Sequence, residues 1–143
     1  MKQFSLSVLL LLLFTVIGYS QNAALGTWKT IDDATGDAKS HVEIYEQNGK
    51  VYGKIVKLLK SEPGVVCDEC KGKKKGKPVL GMVIIEDLQK GGDVLEKGTI
   101  LDPENGKEYK CKIWFEEGKT DELKLRGYHW TGLYRTQTWY RVK

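Results

Sequence analysis

Cys67-Asp68-Glu69-Cys70 is the short motif in this sequence whose spacing is a familiar basis for chemistry. Three readings compete for it. A redox pair needs a thiolate held by a helix N-terminus or a neighbouring cation, whereas Asp68 and Glu69 oppose ionisation and no helical pattern follows. The lysines downstream offset this only in part. A structural zinc site normally has four ligands; Cys67 and Cys70 supply two, and Cys111 with His41 or His129 completes the set only if the fold happens to gather them. The third and preferred reading is a local disulfide that staples a long loop. Cys111 shares one face of an alternating run with Tyr109, Ile113 and Phe115, and reads as a buried small hydrophobe without a chemical duty.

Lys71, Lys73, Lys74, Lys75 and Lys77 place five positive charges within seven residues just after Cys70. With Gly72 and Gly76 letting backbone amides approach, this segment is a candidate anion-binding loop for a lipid headgroup, an acidic glycan or a phosphate-bearing ligand. The competing reading is a solvated loop extended by its own charge. The inventory for catalysis is thin. His41 beside Glu43 and His129 near Arg126 read as surface polarity, Glu86, Asp87, Asp102 and Glu104 as strand-end and turn residues, and no G-x-S-x-G surrounds Ser40 or Ser61. No enzyme, cofactor or metal site is expected.

The elements that position these groups begin after a leader. Lys2, the apolar run from Leu6 to Ile17 and the small Gly18 and Ser20 predict a signal peptide over residues 1–20, cleaved ahead of Gln21. The run is shorter than the roughly 20 residues that a membrane-spanning helix needs, and no cysteine follows the cut to carry a lipid anchor. Residues 21–143 are then a single exported domain, periplasmic or secreted, large enough to be stable as a monomer. The formal charge of +4, one unit of it from Lys2, is too small an excess to argue for nucleic acid.

From Gly26 onward, apolar and polar residues alternate with period two between turn residues. The strands read as Gly26–Asp32, Ser40–Glu46, Val51–Leu59, Val79–Glu86, Leu95–Leu101, Lys107–Glu116, Glu122–Tyr128 and Leu133–Val142. Asn48-Gly49 marks a tight hairpin. A loop from about Lys60 to Lys77 precedes the fourth strand, and Asp87 to Asp93 reads as a turn. Eight strands at this spacing predict an all-β, up-and-down antiparallel barrel, whose closure removes exposed edges. With so many aromatics for the length, some must line its interior, leaving either a filled core or a narrow cup.

Gly26-Thr27-Trp28 on the first strand and Arg141 on the last match, by order and type, the motif that closes one end of lipocalin-like barrels, where the arginine lies across the indole. The segments VEIY (42–45), GKVYGKI (49–55), KPVLG (77–81), LDPENGK (101–107), LRGY (125–128) and RTQTW (135–139) resemble the secreted bacterial family called domain of unknown function 2147. The resemblance covers about Leu25 to Val142. It implies a lipocalin-like, calycin-type barrel and carries no activity, because fold does not transfer function. The expectation is an exported barrel that binds a small apolar or amphipathic ligand beneath the Cys67–Lys77 loop. The alternative is an envelope scaffold that docks an anionic partner through its lysines.

Overall fold

The computed structural model describes residues 23–143, and the leader expected over residues 1–20 lies outside them. Alternating patterning cut by turn residues produces eight strands: β1 (Gly26–Ile31), β2 (Ala38–Gln47), β3 (Lys50–Leu58), β4 (Val83–Gly91), β5 (Val94–Asp102), β6 (Lys107–Phe115), β7 (Glu122–Tyr128) and β8 (Tyr134–Arg141). Each pairs antiparallel with the next, and β8 returns to β1, so the sheet closes into an up-and-down barrel. At the β2–β3 turn Asn48 and Gly49 both take positive φ, 52° and 78°, the geometry a two-residue hairpin requires.

One strand lies elsewhere than patterning suggests. The fourth strand is Val83–Gly91, and the connection before it spans 59–82. Val79 and Met82 are buried residues of that connection, outside the strand itself, and the backbone of Gly81 and Met82 bonds to Ile55 of β3 just before β4 begins. Asp87, read as the start of a turn, has φ 59° and sits in a bulge inside β4. The bulge follows two consecutive buried residues, Ile84 and Ile85, and lets Leu88 point inward again.

Packing divides the barrel into two halves. At one end Trp28 is fully buried, and its Nε1 donates to the Ala24 carbonyl at 2.8 Å. The Arg141 guanidinium lies 4.3 Å from the indole centroid and donates to the carbonyls of Ala23 (2.6 Å) and Thr120 (2.9 Å). Phe115 packs against Trp28 with centroids 5.8 Å apart, and Ile44, Ile113 and Leu123 fill the space above. The interior is more aliphatic than the composition suggests. Trp28, Tyr109, Phe115 and Trp139 face inward, while strand alternation sets Tyr45, Tyr52, Trp114, Tyr128 and Tyr140 on the outer wall.

Candidate functional site

The opposite half holds a cavity of about 780 Å³ that opens among the β1–β2, β3–β4, β5–β6 and β7–β8 connections. That volume falls in the range of small-molecule sites. Ile55, Ile84, Ile100, Leu125 and Trp139 supply apolar wall, each from the inward face of a different strand. Small residues leave the room: Gly127 also lines the cavity, and a Cβ there would meet only ordinary contacts, 3.5 Å from Tyr109. Thr30 and Ser40 add a buried hydroxyl pair, Oγ1 to Oγ at 2.8 Å.

A polar line climbs β8 towards the mouth. Trp139 Nε1 donates to Gln137 Oε1 at 3.1 Å, Gln137 Nε2 donates to Asp33 Oδ2 at 2.7 Å, and Arg135 pairs with the same carboxylate. The backbone explains why Asp33 is needed there. β1 and β8 pair only at Trp28–Arg141 and Lys29–Tyr140, near the packed end, so towards the mouth side chains span the seam where the ladder stops.

The β3–β4 connection forms a lid. Cys67 and Cys70 are joined in a disulfide and both are buried, which takes up the two sulfurs that a metal would have used, while Cys111 remains a free buried thiol on β6. Cys67 N donates to Lys77 O and Gly76 N to Cys67 O, each at 2.8 Å, and Val66 bridges Pro78. The lid rests on the β5–β6 turn. Cys67 Sγ lies 3.3 Å from the Pro103 carbonyl oxygen, and Gly106, at φ +71°, makes room for the Glu69 carbonyl that any side chain would strike.

None of the five loop lysines lines the cavity. Lys74 Nζ donates to Val83 O at 2.9 Å and to Glu86 at 3.0 Å, and Lys75 Nζ donates to Asp68 O at 2.6 Å, so both tie the lid to itself and to β4. Lys71, Lys73 and Lys77 are exposed. The rim is instead rich in carboxylates: Asp32, Asp33, Asp68, Glu69, Asp102 and Glu104, against Lys39 and Arg135. No spacing rule finds this set, because it is gathered from three connections far apart in the chain. Part of it is structural. Lys60 sits 2.6 Å from Asp32, and that hydrogen bond holds the carboxyl below its ordinary range. Glu104 pairs with Lys39 at 3.1 Å.

The histidines are kept apart. His129 is at the rim, Nδ1 2.8 Å from Thr131 Oγ1. His41 is on the outer wall, paired across the sheet with Lys29 and Lys57; burial, then those two cations, push its pKa down.

Over residues 26–141 the sequence matches the family described as an uncharacterized protein conserved in bacteria, domain of unknown function 2147. No curated protein matches it. Among solved structures, protein HP1028 from the human pathogen Helicobacter pylori, described as belonging to the lipocalin family, superposes with a TM-score of 0.71 at 22% identity. The likeness covers 83% of this chain and 82% of that one, and at this identity it is a likeness of fold.

Proposed function

The chain belongs to the family of domain of unknown function 2147, and we propose that its barrel is an exported carrier holding one small apolar or amphipathic molecule. The observation that carries this reading is the cavity of about 780 Å³, apolar in its depth and polar at its mouth. Hydrocarbon would replace water against Ile55, Ile84, Ile100 and Leu125, while Thr30, Ser40, Tyr109 and Gln137 offer hydrogen bonds to a polar group. Export is supported by the Cys67–Cys70 disulfide, a bond that persists in oxidising compartments, together with the leader pattern. Among the described residues no helix is long and apolar enough to cross a membrane. The role proposed is binding without turnover.

Titration with the apolar probe N-phenyl-1-naphthylamine tests the reading. Binding should saturate at one probe per chain. Gly127→Leu, which places a side chain in the cavity, should weaken it by about tenfold or more, since a filled pocket forfeits the apolar area it buried. The urea transition of that variant, followed in parallel, should show a folded barrel. Probe binding equal in the folded variant and the parent, or no saturable binding at all, defeats the proposal.

A further inference from the structure

We propose that the outer wall of β6, β7 and β8, together with the tip of the β7–β8 hairpin, docks on an anionic lipid bilayer. This does not rest on the cavity being occupied.

The hairpin tip carries the apolar part of the surface. Trp130 is 90% exposed, Leu133 74% and Tyr134 60%, the three most exposed large hydrophobic side chains among the described residues. They stand on a well-bonded turn: His129 N donates to Leu133 O at 2.7 Å, Gly132 N to His129 O at 2.9 Å, and Thr131 N to His129 Nδ1 at 3.3 Å. Gly132 takes φ +90°, which tightens the turn. A fixed turn that presents an indole and a leucine to water has the form of an interfacial anchor, because an amphipathic ring gains most at the boundary between headgroups and hydrocarbon.

The wall below it carries the charge. Strand alternation turns Lys110 and Lys112 of β6 and Lys124 and Arg126 of β7 outward, and Lys29 of β1 adjoins them across Tyr140 of β8. No salt bridge involves any of these five among the described residues. Aromatic faces hold Lys29, Lys112 and Arg126 in place instead, and Lys124 Nζ donates to Thr138 Oγ1 at 2.7 Å. The Arg126 guanidinium lies 4.2 Å from the Tyr134 centroid and 5.2 Å from that of Trp114, and Lys112 Nζ is 5.3 Å from Trp114. Carboxylates on this wall are confined to strand starts: Glu108 on β6, and Glu122 on β7, which is 3.8 Å from Lys119. The acidic residues of the rim belong to the other three connections, so the bilayer would meet the wall and tip, not the mouth end-on. An acidic polymer would satisfy the cations and leave Trp130 and Leu133 in water. A bilayer satisfies both, with each basic residue near an anionic surface contributing about 1 kcal/mol.

Sedimentation with vesicles of phosphatidylcholine and phosphatidylglycerol, compared with phosphatidylcholine alone, tests this on the leaderless domain with its disulfide intact. Binding should need the anionic lipid, weaken with salt and shift Trp130 emission to the blue. Trp130→Ala, and separately Lys112→Glu with Arg126→Glu, should each reduce the partition coefficient at least about tenfold. The milder pair Lys112→Gln with Arg126→Gln serves if charge reversal disturbs folding, as judged by the urea transition. Absence of binding to anionic vesicles, equal binding to neutral ones, or unchanged binding of the folded variants overturns the proposal. So does retention on heparin by a chain that ignores vesicles, which would identify an acidic polymer as the partner.

Discussion

Cys111 shows how far a single residue can be read before packing is known. Its alternation with Tyr109, Ile113 and Phe115 implies an inward position, and in the barrel it is 3% exposed. Burial pushes its thiol from 9.0 up to about 12. Below pH 9 the thiol is protonated in both the folded and the unfolded chain, so it has no influence on the pH dependence of stability. Between 9 and about 12 the unfolded chain releases the proton and the folded chain keeps it. Stability should therefore fall as pH rises through that window, with a slope approaching about 1.4 kcal/mol per pH unit from this group. Tyr45 and Tyr52, also raised chiefly by burial, act in the same direction in any variant. The comparison that isolates Cys111 is the urea midpoint of parent and Cys111→Ala at pH 8 and at pH 10.5. The gap between them should narrow at the higher pH, and a constant gap would mean that the thiol ionises freely. Lys74 marks the limit of reading by residue. Its place in a charged run says nothing of a bond to Val83 O and Glu86, because the reach of a lysine depends on which strand the loop folds against.

Among the elements, the lid departs most from what patterning shows. Pro63, Gly64, Gly72 and Gly76 mark a long connection, but the apolar Val79 and Met82 look like the start of a strand until they are seen buried within the loop, ahead of β4. Gly106 likewise reads as an ordinary turn glycine. Its second role, clearing the Glu69 carbonyl, exists only once the lid is seated on the β5–β6 turn. Gly106→Ala combines an unfavourable positive φ, of order 1–2 kcal/mol, with that collision, and the cheaper relief is to lift the lid. The barrel strands do not depend on the contact. Hydrogen exchange should then show Cys67 and Val79, whose amides donate within the lid, losing protection while β6 and β7 keep theirs. Uniform protection in the variant, or uniform loss, would mean that the lid and the barrel open as one unit.

At the scale of the whole molecule the two ends of the barrel are closed by different means. The order of the strands is legible in the sequence because consecutive strands are mostly joined by short turns, which leave antiparallel neighbours as the simple arrangement. Whether the closed barrel is full or hollow is not legible there, since it depends on which side chains reach the same level. Trp28, Ile113 and Leu123 fill one half, while Thr30, Ser40 and Gly127 leave space in the other. The β1–β8 seam follows the same division. Near Trp28 it has backbone pairing, the Arg141 guanidinium over the indole, and that guanidinium's bonds to Ala23, Thr120 and, at 3.2 Å, Asp121. Near the mouth it has Asp33 with Arg135 and Gln137, side chains exposed to water. Removing Arg141 leaves the half-buried Ala23 carbonyl without that donor and the buried Trp28 indole without its cover, so Arg141→Ala should cost about 2–3 kcal/mol in urea unfolding. Asp33→Ala loses only exposed contacts and should cost less than about 1 kcal/mol. If the mouth end of the seam is also a way into the cavity, that same Asp33→Ala variant should release N-phenyl-1-naphthylamine faster in stopped-flow dilution while unfolding at nearly the parent's urea concentration. Equal destabilisation by the two substitutions would show that the seam closes evenly along its length, and an unchanged release rate would place the entry route beneath the lid.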